Sequence, residues 1–507
     1  MRDMNMDVKL KDLQSKEQLY QYLETNKYNK HDILGSQELR AIIDAVDYTV
    51  QRSTYSTQNF LLQRRFNLFY SYYPYFFQHV PNHAIVEVSK PLNDKFIDLE
   101  LGEEFSLSFD KQDFRFQAAI PFTLSPFHVS NCYVMKNHIN IELDATTPFS
   151  FDRNYFLLGC DPLELKNYQI YHLINAMKSY TSAKMFLYSK QLEEPLIVEI
   201  SLDFDIKFNI GVTQETILRS LTQSMFSNFY VRFESLPEDF LFDKIVLEIE
   251  ASKLDDVVRL LPKKSIRTNL LPVLNLFDDY AMKINCDYSQ ESYAIQHLEE
   301  PEEYIPTKLY EVQYNSTKAY HSYLNLSNAK SYNLMFESSG HMRVTFLDPD
   351  IEDLSNESNE VVINAQWTQA ASAETQKKSY TFLPLSRAIG NLKFNIIYSY
   401  GYKRNQLLER ADNILKVLNI INAIGLDTEI FKILVSLVSN HDMYALEFID
   451  QNIVDIEVIG QFNYAIYVTS DLCKSEFIFY TSLVDTFLKA HLSRQVGIQI
   501  NFQVKVR

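Results

Sequence analysis

The sequence predicts a multidomain α+β fold, and three observations carry that prediction. The chain is 507 residues long, more than one hydrophobic core usually serves, which sets an expectation of about two to four domains. Its apolar periodicity is helical at the start, changes to two beyond His83, and then alternates between the two patterns. Hydrophobic residues make up 46% and charged residues 22%, so most of the chain can bury enough apolar surface to fold. The expected division is a helical arm over 1–82, a strand-rich α+β domain over 83–265, a second β-rich domain over 266–390, and a small α/β domain over 391–507.

The arm reads as helix from about residue 10 to 75. Leu39, Ile42, Ile43, Val46 and Val50 recur at helical spacing and share one face. Ser36 precedes them as a side-chain N-cap, with the capping-box acid displaced to Glu38. A second run over 60–73 carries Phe60, Leu61, Leu68, Phe69 and Tyr72 around Arg64 and Arg65, a face wide enough for either a local helical hairpin or an intermolecular bundle. Pro74 and Pro81 end the helical region.

Strand patterns follow at 84–88, 105–109, 114–118 and 139–143, where apolar and polar residues alternate or nearly so. Helix is expected over 167–178, one or two strands over 196–208, and helix again over 213–225. Strands are expected at 229–233 and 244–250, and a short helix at 253–261. The acidic stretches 299–303 and 348–360 read as solvated loops. The second lacks the glycine and the ligand spacing of a calcium loop. Helix is expected over 405–424, with Gly425 at a natural C′ position. The chain closes on a strand at 464–468, a helix at 475–491 and an extended run at 497–506.

Composition excludes several functions. A formal charge of −17 without a run of five basic residues argues against nucleic acid as a partner. No opening h-region and no window of roughly 18 apolar residues is present, so neither targeting nor membrane insertion is expected. Cys132, Cys160, Cys286 and Cys473 lie far apart without a CxxC pair, the pattern of reduced cytoplasmic thiols, and Cys473 reads as a buried thiol. The motif at Asn315 and those at Asn325 and Asn356 match the glycosylation pattern by chance in such a chain. With 10 Gly against 33 Tyr and 35 Phe, loops are expected to rely on Asn, Asp and Ser, and phosphate-cradling loops are not expected.

Catalytic signatures are likewise missing. No Walker, dinucleotide or nucleophile-elbow motif occurs. His79 and His83 bracket Pro81 and cannot share a helical face as a zinc pair must. Asp203 with Asp205 and Asp278 with Asp279 are indistinguishable from surface charge. No catalytic residue, metal ligand or cofactor is expected. Two alternatives to a structural role stay open: a carboxylate-based hydrolase and a stand-alone protein-binding module.

One segment carries more. Over 267–287, Asn269, Pro272, Val273, Asn275, Leu276, Phe277, Ala281, Ile284 and Asp287, followed by Tyr293, match the pattern NCTPVxNLFxxxAxPIxLD. Upstream, Tyr73, Pro74, Pro81, Ala84, Ile85 and Val86 fit YPxYxxxIPSxAIVxF, with Phe76, Val80 and Val88 as conservative replacements. Asp161-Pro162 fits a GDP motif between them, and 477–502 is similar to a closing helix with a Phe-rich run. In order and spacing these resemble the TssF family, baseplate subunits of the type VI secretion system, and within it the pathogenicity-island branch called IglH. Leu270-Leu271 replaces the family's Cys-Thr, and the family's acidic-proline opening to the first long helix is missing.

The resemblance implies a non-enzymatic wedge subunit in the cytoplasm. Two TssF copies join one TssG, with TssK and the sheath-linking TssE, around the VgrG spike, in a baseplate docked to the inner-membrane complex. It also implies that the face of Leu39, Ile42, Ile43, Val46 and Val50 belongs to a bundle shared between subunits. Pro272 and Phe277 are expected to turn the chain and fill a core, and Asn275 to cap a turn.

Overall fold

A computed structural model describes residues 48, 52, 53 and 80–502, except 91–93, 110–111, 209–226, 235, 237–239, 253, 288–289, 322–329, 337–340, 348–358, 371–379, 387–388, 403–425, 440–441, 461–462, 471–472 and 492–498. The chain divides into two units, Met1–Tyr73 and Pro74–Arg507. The helix faces expected over 39–50 and 60–73, Pro74, the helices at 213–225 and 405–424, and the acidic stretch from Asp348 lie outside the described residues.

The second unit is built mainly from strands, so the α+β expectation holds with sheet dominant among the described residues. An eight-stranded antiparallel sheet runs in the order Ile266–Thr268, Tyr155–Cys160, Asn228–Phe233, Leu196–Asp203, Tyr180–Tyr188, Phe242–Ala251, His138–Phe149, Phe127–Met135. It curls until its edges meet: Thr268 Oγ1 donates to the Phe127 carbonyl at 3.1 Å and the Cys132 N–H to the Lys263 carbonyl at 2.8 Å. The edge groups that a flat sheet would leave open are thereby partly satisfied. The helix Asn167–Lys178, with the bounds expected of it, packs Ile170, Leu173 and Met177 into this sheet's core.

A six-stranded antiparallel sheet runs Tyr380–Pro384, Glu104–Phe109, Gln112–Ala118, Leu270–Leu274, His83–Ser89, Lys393–Tyr400. Its strands come from three distant stretches, so hydrogen bonding crosses the divisions drawn at 265 and 390. Periodicity is a local signal and strand pairing is not, which is why pairing between residues 83–89 and 393–400 has no trace in either segment alone. A five-stranded sheet follows around Asn359–Gln369, which pairs with Phe277–Tyr280, Ile284–Cys286 and Tyr304–Tyr314. Asn315 and Ser316 turn the chain between Tyr304–Tyr314 and Thr317–Lys318 with φ of 46° and 60°. Both central residues of this two-residue hairpin are left-handed, as a type I′ turn requires, and neither is glycine.

The C-terminal part pairs Ile453–Gly460 antiparallel and Gln499–Phe502 parallel to Asn463–Val468. The long helix Lys474–His491 lies in the connection between the parallel strands, the β–α–β order of an α/β unit. Two further helices, Thr428–Val438 and Met443–Asn452, are capped by Asp427 and Asp442.

The cores explain the aromatic content. Phe127, Phe149, Phe151, Phe156, Phe233 and Phe242 form a continuous ring cluster inside the eight-stranded sheet, with edge contacts such as Phe127–Phe156 at 5.1 Å. Phe105, Phe114, Phe116 and Phe382 fill a second core against the six-stranded sheet. The strand Tyr155–Cys160 serves both, sending Phe156 and Leu158 into the first and Leu157 into the second. Burial on both faces replaces alternation by a near-continuous apolar run, YFLLGC.

Candidate functional site

Residues 266–280 pass through three sheets in succession: Ile266–Thr268 edges the first, Leu270–Leu274 lies inside the second, and Phe277–Tyr280 joins the third. The segment singled out in the sequence is thus the covalent joint of the fold. Each change of sheet is held by a particular side chain.

The first change occurs at Asn269, whose φ of 61° is left-handed. A short amide tolerates that conformation better than most residues do. Its side chain makes a pair of hydrogen bonds with one residue, accepting from the Ser125 N–H at 2.7 Å and donating to the Ser125 carbonyl at 3.2 Å. Alongside, Gly159 lets Asn228 come close: a Cβ at residue 159 would meet the Asn228 amide nitrogen at 3.0 Å, and that nitrogen donates to the Leu270 carbonyl at 3.0 Å. Arg267 reaches from the edge strand to Asp161, which is 0% exposed, and to Glu87 at 3.5 Å. Asp161 also accepts from the Leu163 N–H at 3.0 Å. A buried carboxylate is tolerable only with such partners.

The second change occurs at Asn275, 0% exposed. Its Nδ2 donates to the Arg115 carbonyl at 2.7 Å and to Gln369 Oε1 at 2.8 Å, and its Oδ1 accepts from the Thr368 hydroxyl at 2.9 Å and the Gln369 N–H at 2.8 Å. Both amide hydrogens and both lone pairs are therefore used. This corrects the expected local turn cap: the side chain clamps residues 94 positions away. Gln369 extends the network, accepting from the Arg115 N–H at 3.0 Å and donating to the Asp113 carbonyl at 2.8 Å. Asn82 closes it, accepting at its carbonyl from the Asn275 N–H at 2.8 Å, donating to the Gln369 carbonyl at 3.2 Å, and accepting at Oδ1 from the Tyr402 N–H at 2.7 Å.

The apolar members lie among these amides. Pro272 and Val273 are buried opposite Ile85 and Ala84, and Leu276 is buried beside them. Phe277 packs edge-on against Tyr304 at 5.0 Å with the Arg115 guanidinium 5.1 Å over its ring. Pro81 is buried, and its carbonyl faces His83 Nδ1 at 3.1 Å. Further along the motif, the Tyr293 hydroxyl donates to Asp287 at 2.9 Å, and burial, with that hydrogen bond, pushes its pKa up to about 12. Asn82 and Gln369 escaped the sequence reading. Gln369 ends a strand with no amide motif of its own, and its role exists only through pairing across the fold.

No family model and no curated protein sequence matches this chain. Its fold does match a chain in the cryo-electron microscopy structure of the type VI secretion system TssK–TssF–TssG baseplate subcomplex, with a TM-score of 0.64 at 11% sequence identity, over 92% of this chain and 96% of that one. The fold is that of a type VI secretion baseplate chain. Coverage of nearly the whole of both chains means that the succession of sheets, as well as any single module, is shared.

The residues considered for chemistry fare differently. Asp203 accepts from Arg232 at 2.8 Å and from the Asp205 N–H at 2.9 Å, and Asp278 accepts from the Tyr310 hydroxyl at 3.0 Å, so these carboxylates serve surface contacts. Among the described residues no group of three or more His, Cys, Asp or Glu is placed to hold a metal ion. Among the same residues no helix is long and apolar enough to cross a membrane. Cys473 is half-buried rather than buried, and its thiol donates to Asn452 Oδ1 at 3.2 Å.

Proposed function

We propose that this chain is a TssF-like structural subunit of a type VI secretion baseplate wedge. The observation that carries the reading is the fold match over nearly the full length of both chains. The sequence adds a second line of support, since Asn269, Pro272, Val273, Asn275, Leu276 and Phe277 match the family motif and sit at the joint between sheets. A scaffold needs surfaces held in fixed relation rather than a convergent titratable site.

In this reading the subunit assembles with TssG-like and TssK-like proteins, with a TssE-like protein and a second copy of itself, around a VgrG spike. It works in the cytoplasm, in a baseplate docked to the inner-membrane complex. The helical arm over 1–82 supplies the assembling surface through Leu39, Ile42, Ile43, Val46 and Val50, while the domains that follow supply the body. Co-expression with the TssG-like protein of the same bacterium tests this directly. The two should co-purify, and Val46→Asp should weaken the complex because it sets a charge in an apolar seam. If each protein is soluble alone and the pair never co-purifies, the assignment falls.

A further inference from the structure

A cleft of about 550 Å³ opens between residues 162–169, Tyr398, and the two C-terminal helices that begin at Met443 and Lys474. Its volume lies within the roughly 300–1,000 Å³ of clefts that enclose a ligand. Aromatic walls and acidic charge define it. The rings of Tyr168, Tyr398, Tyr444 and Tyr480 line it together with the carboxylates of Asp442 and Glu476. Glu164 adds a third acidic group, against one lining cation among the described residues, Lys166.

The groups in the cleft register this charge. Burial, and after it the Glu476 carboxylate, raises the pKa of Tyr168, Tyr444 and Tyr480. Burial also raises Glu476, although the Tyr444 and Tyr480 hydroxyls and Lys166 favour its charged form. Asp442 uses Oδ1 to cap its helix through the Tyr444 N–H at 3.2 Å.

The rim is apolar and open. Leu163 and Tyr444, which line it, are 57% and 54% exposed, and Met443, the residue before Tyr444, is 65% exposed. A free inorganic cation would make no use of such a rim, and the acidic groups do not converge as metal ligands do. An amphipathic cation uses both parts: its charge stacks on tyrosine faces beside carboxylates, and its carbon chain covers the rim. The chain's net charge of −17 favours approach of a basic partner.

We propose that this cleft is a docking site for a partner protein, receiving an Arg or Lys side chain carried on a segment with neighbouring apolar residues. The inference stands on the cleft alone and does not depend on the baseplate assignment.

The test uses the full chain and a fluorescein-labelled peptide of alternating Leu and Arg, read by anisotropy. Controls are the same peptide with citrulline for Arg, and spermidine as competitor. Binding of the Arg peptide, loss of binding with citrulline, and weakening by about tenfold or more in Glu476→Gln with Asp442→Asn are expected. Asn keeps the helix cap and Gln keeps the side-chain volume, and Tyr398→Ala provides a variant that alters neither carboxylate. Absence of binding at millimolar peptide overturns the proposal, as does equal binding of the citrulline peptide or unchanged affinity in the folded variants. Displacement by spermidine at the peptide's own concentration overturns it in favour of a small polycation site.

Discussion

Truncating Asn275 to Ala removes four hydrogen bonds from a site without water access. The four partners are not equivalent. The Thr368 hydroxyl and the Gln369 side chain can rotate toward other groups, and Gln369 already bonds Arg115 and Asp113. The Arg115 carbonyl and the Gln369 N–H belong to fixed strands and are left unpaired. Each such buried backbone group costs about 1–3 kcal/mol, so the substitution should destabilise the joint by roughly 3–5 kcal/mol once the smaller side-chain losses are included. A chain of several sheets need not unfold in one step, so local opening is the quantity to measure. Hydrogen exchange of peptides covering 270–277 and 365–370 should accelerate by about a hundredfold or more, with little change at 139–143 in the far sheet. A change below about tenfold in those peptides would show that the amide network is incidental.

Two further outcomes follow from the titratable groups. His172 is buried with Nδ1 at 2.5 Å from Asp255 and Nε2 at 2.9 Å from the Ser475 carbonyl, so both nitrogens face acceptors and the imidazolium fits best. Burial opposes the charge, but the Asp255 hydrogen bond and the Ser475 carbonyl outweigh it and raise the pKa above 6.5; burial opposes the charge on Asp255 too, but the His172 hydrogen bond and backbone N–H groups outweigh it and lower that pKa below 3.8. The pair is complete between those ordinary values: the histidine's contribution is lost as pH rises through its raised folded pKa, and the aspartate's as pH falls through its depressed one. The urea midpoint should therefore fall as pH rises above about 6.5, and His172→Gln should flatten that decline; an unchanged slope would reject the link. Among the cysteines, burial pushes Cys132 up to about 12 and Cys160 higher still, and Cys286 is buried. A native thiol titration should find one fast group, Cys473, and rapid reaction at Cys132 or Cys160 would contradict the core packing.

Several elements were legible because their physics is local. The helix Asn167–Lys178 places Ile170, Leu173, Ala176 and Met177 at helical spacing, and one face of it is buried. The alternating strands at 84–88 and 114–118 likewise sit where expected. Other elements were illegible for physical reasons. Thr428–Val438, TEIFKILVSLV, does carry helical spacing, with Glu429, Lys432 and Ser436 set apart from the buried Ile430, Phe431, Leu434, Val435 and Val438, but its β-branched Thr428, Ile430, Ile433, Val435 and Val438 favour strand by propensity. The helix expected over 253–261 shrinks to Asp256–Arg259, with Leu260 left exposed and Pro262 just beyond. Asn359–Gln369 is the central strand of its sheet, yet it carries Asn364, Gln366 and Gln369, residues that read as loop. The two glutamines bond outside their own strand, Gln366 to the Tyr310 hydroxyl at 3.0 Å on the neighbouring strand and Gln369 to the Asp113 carbonyl at 2.8 Å in the next sheet.

The joint was legible as a motif and illegible as a mechanism. Apolar burial is non-directional, so Val273 and Phe277 can hold the six- and five-stranded sheets together without fixing the angle between them. Directional bonds can fix it. Asn82, Asn275 and Gln369 lie on three separate stretches, and every amide bond among them requires a particular register of all three. A satisfied buried network of this kind rigidifies a core because any shift leaves donors or acceptors unpaired. For the scaffold proposed above, whose task is to present separate surfaces in a constant relation, that rigidity is the useful property. Under that proposal the motif's amides act on assembly through the angle between the sheets: loosening Asn275 should weaken partner binding only where two partners are engaged at once, since a single contact does not depend on that angle.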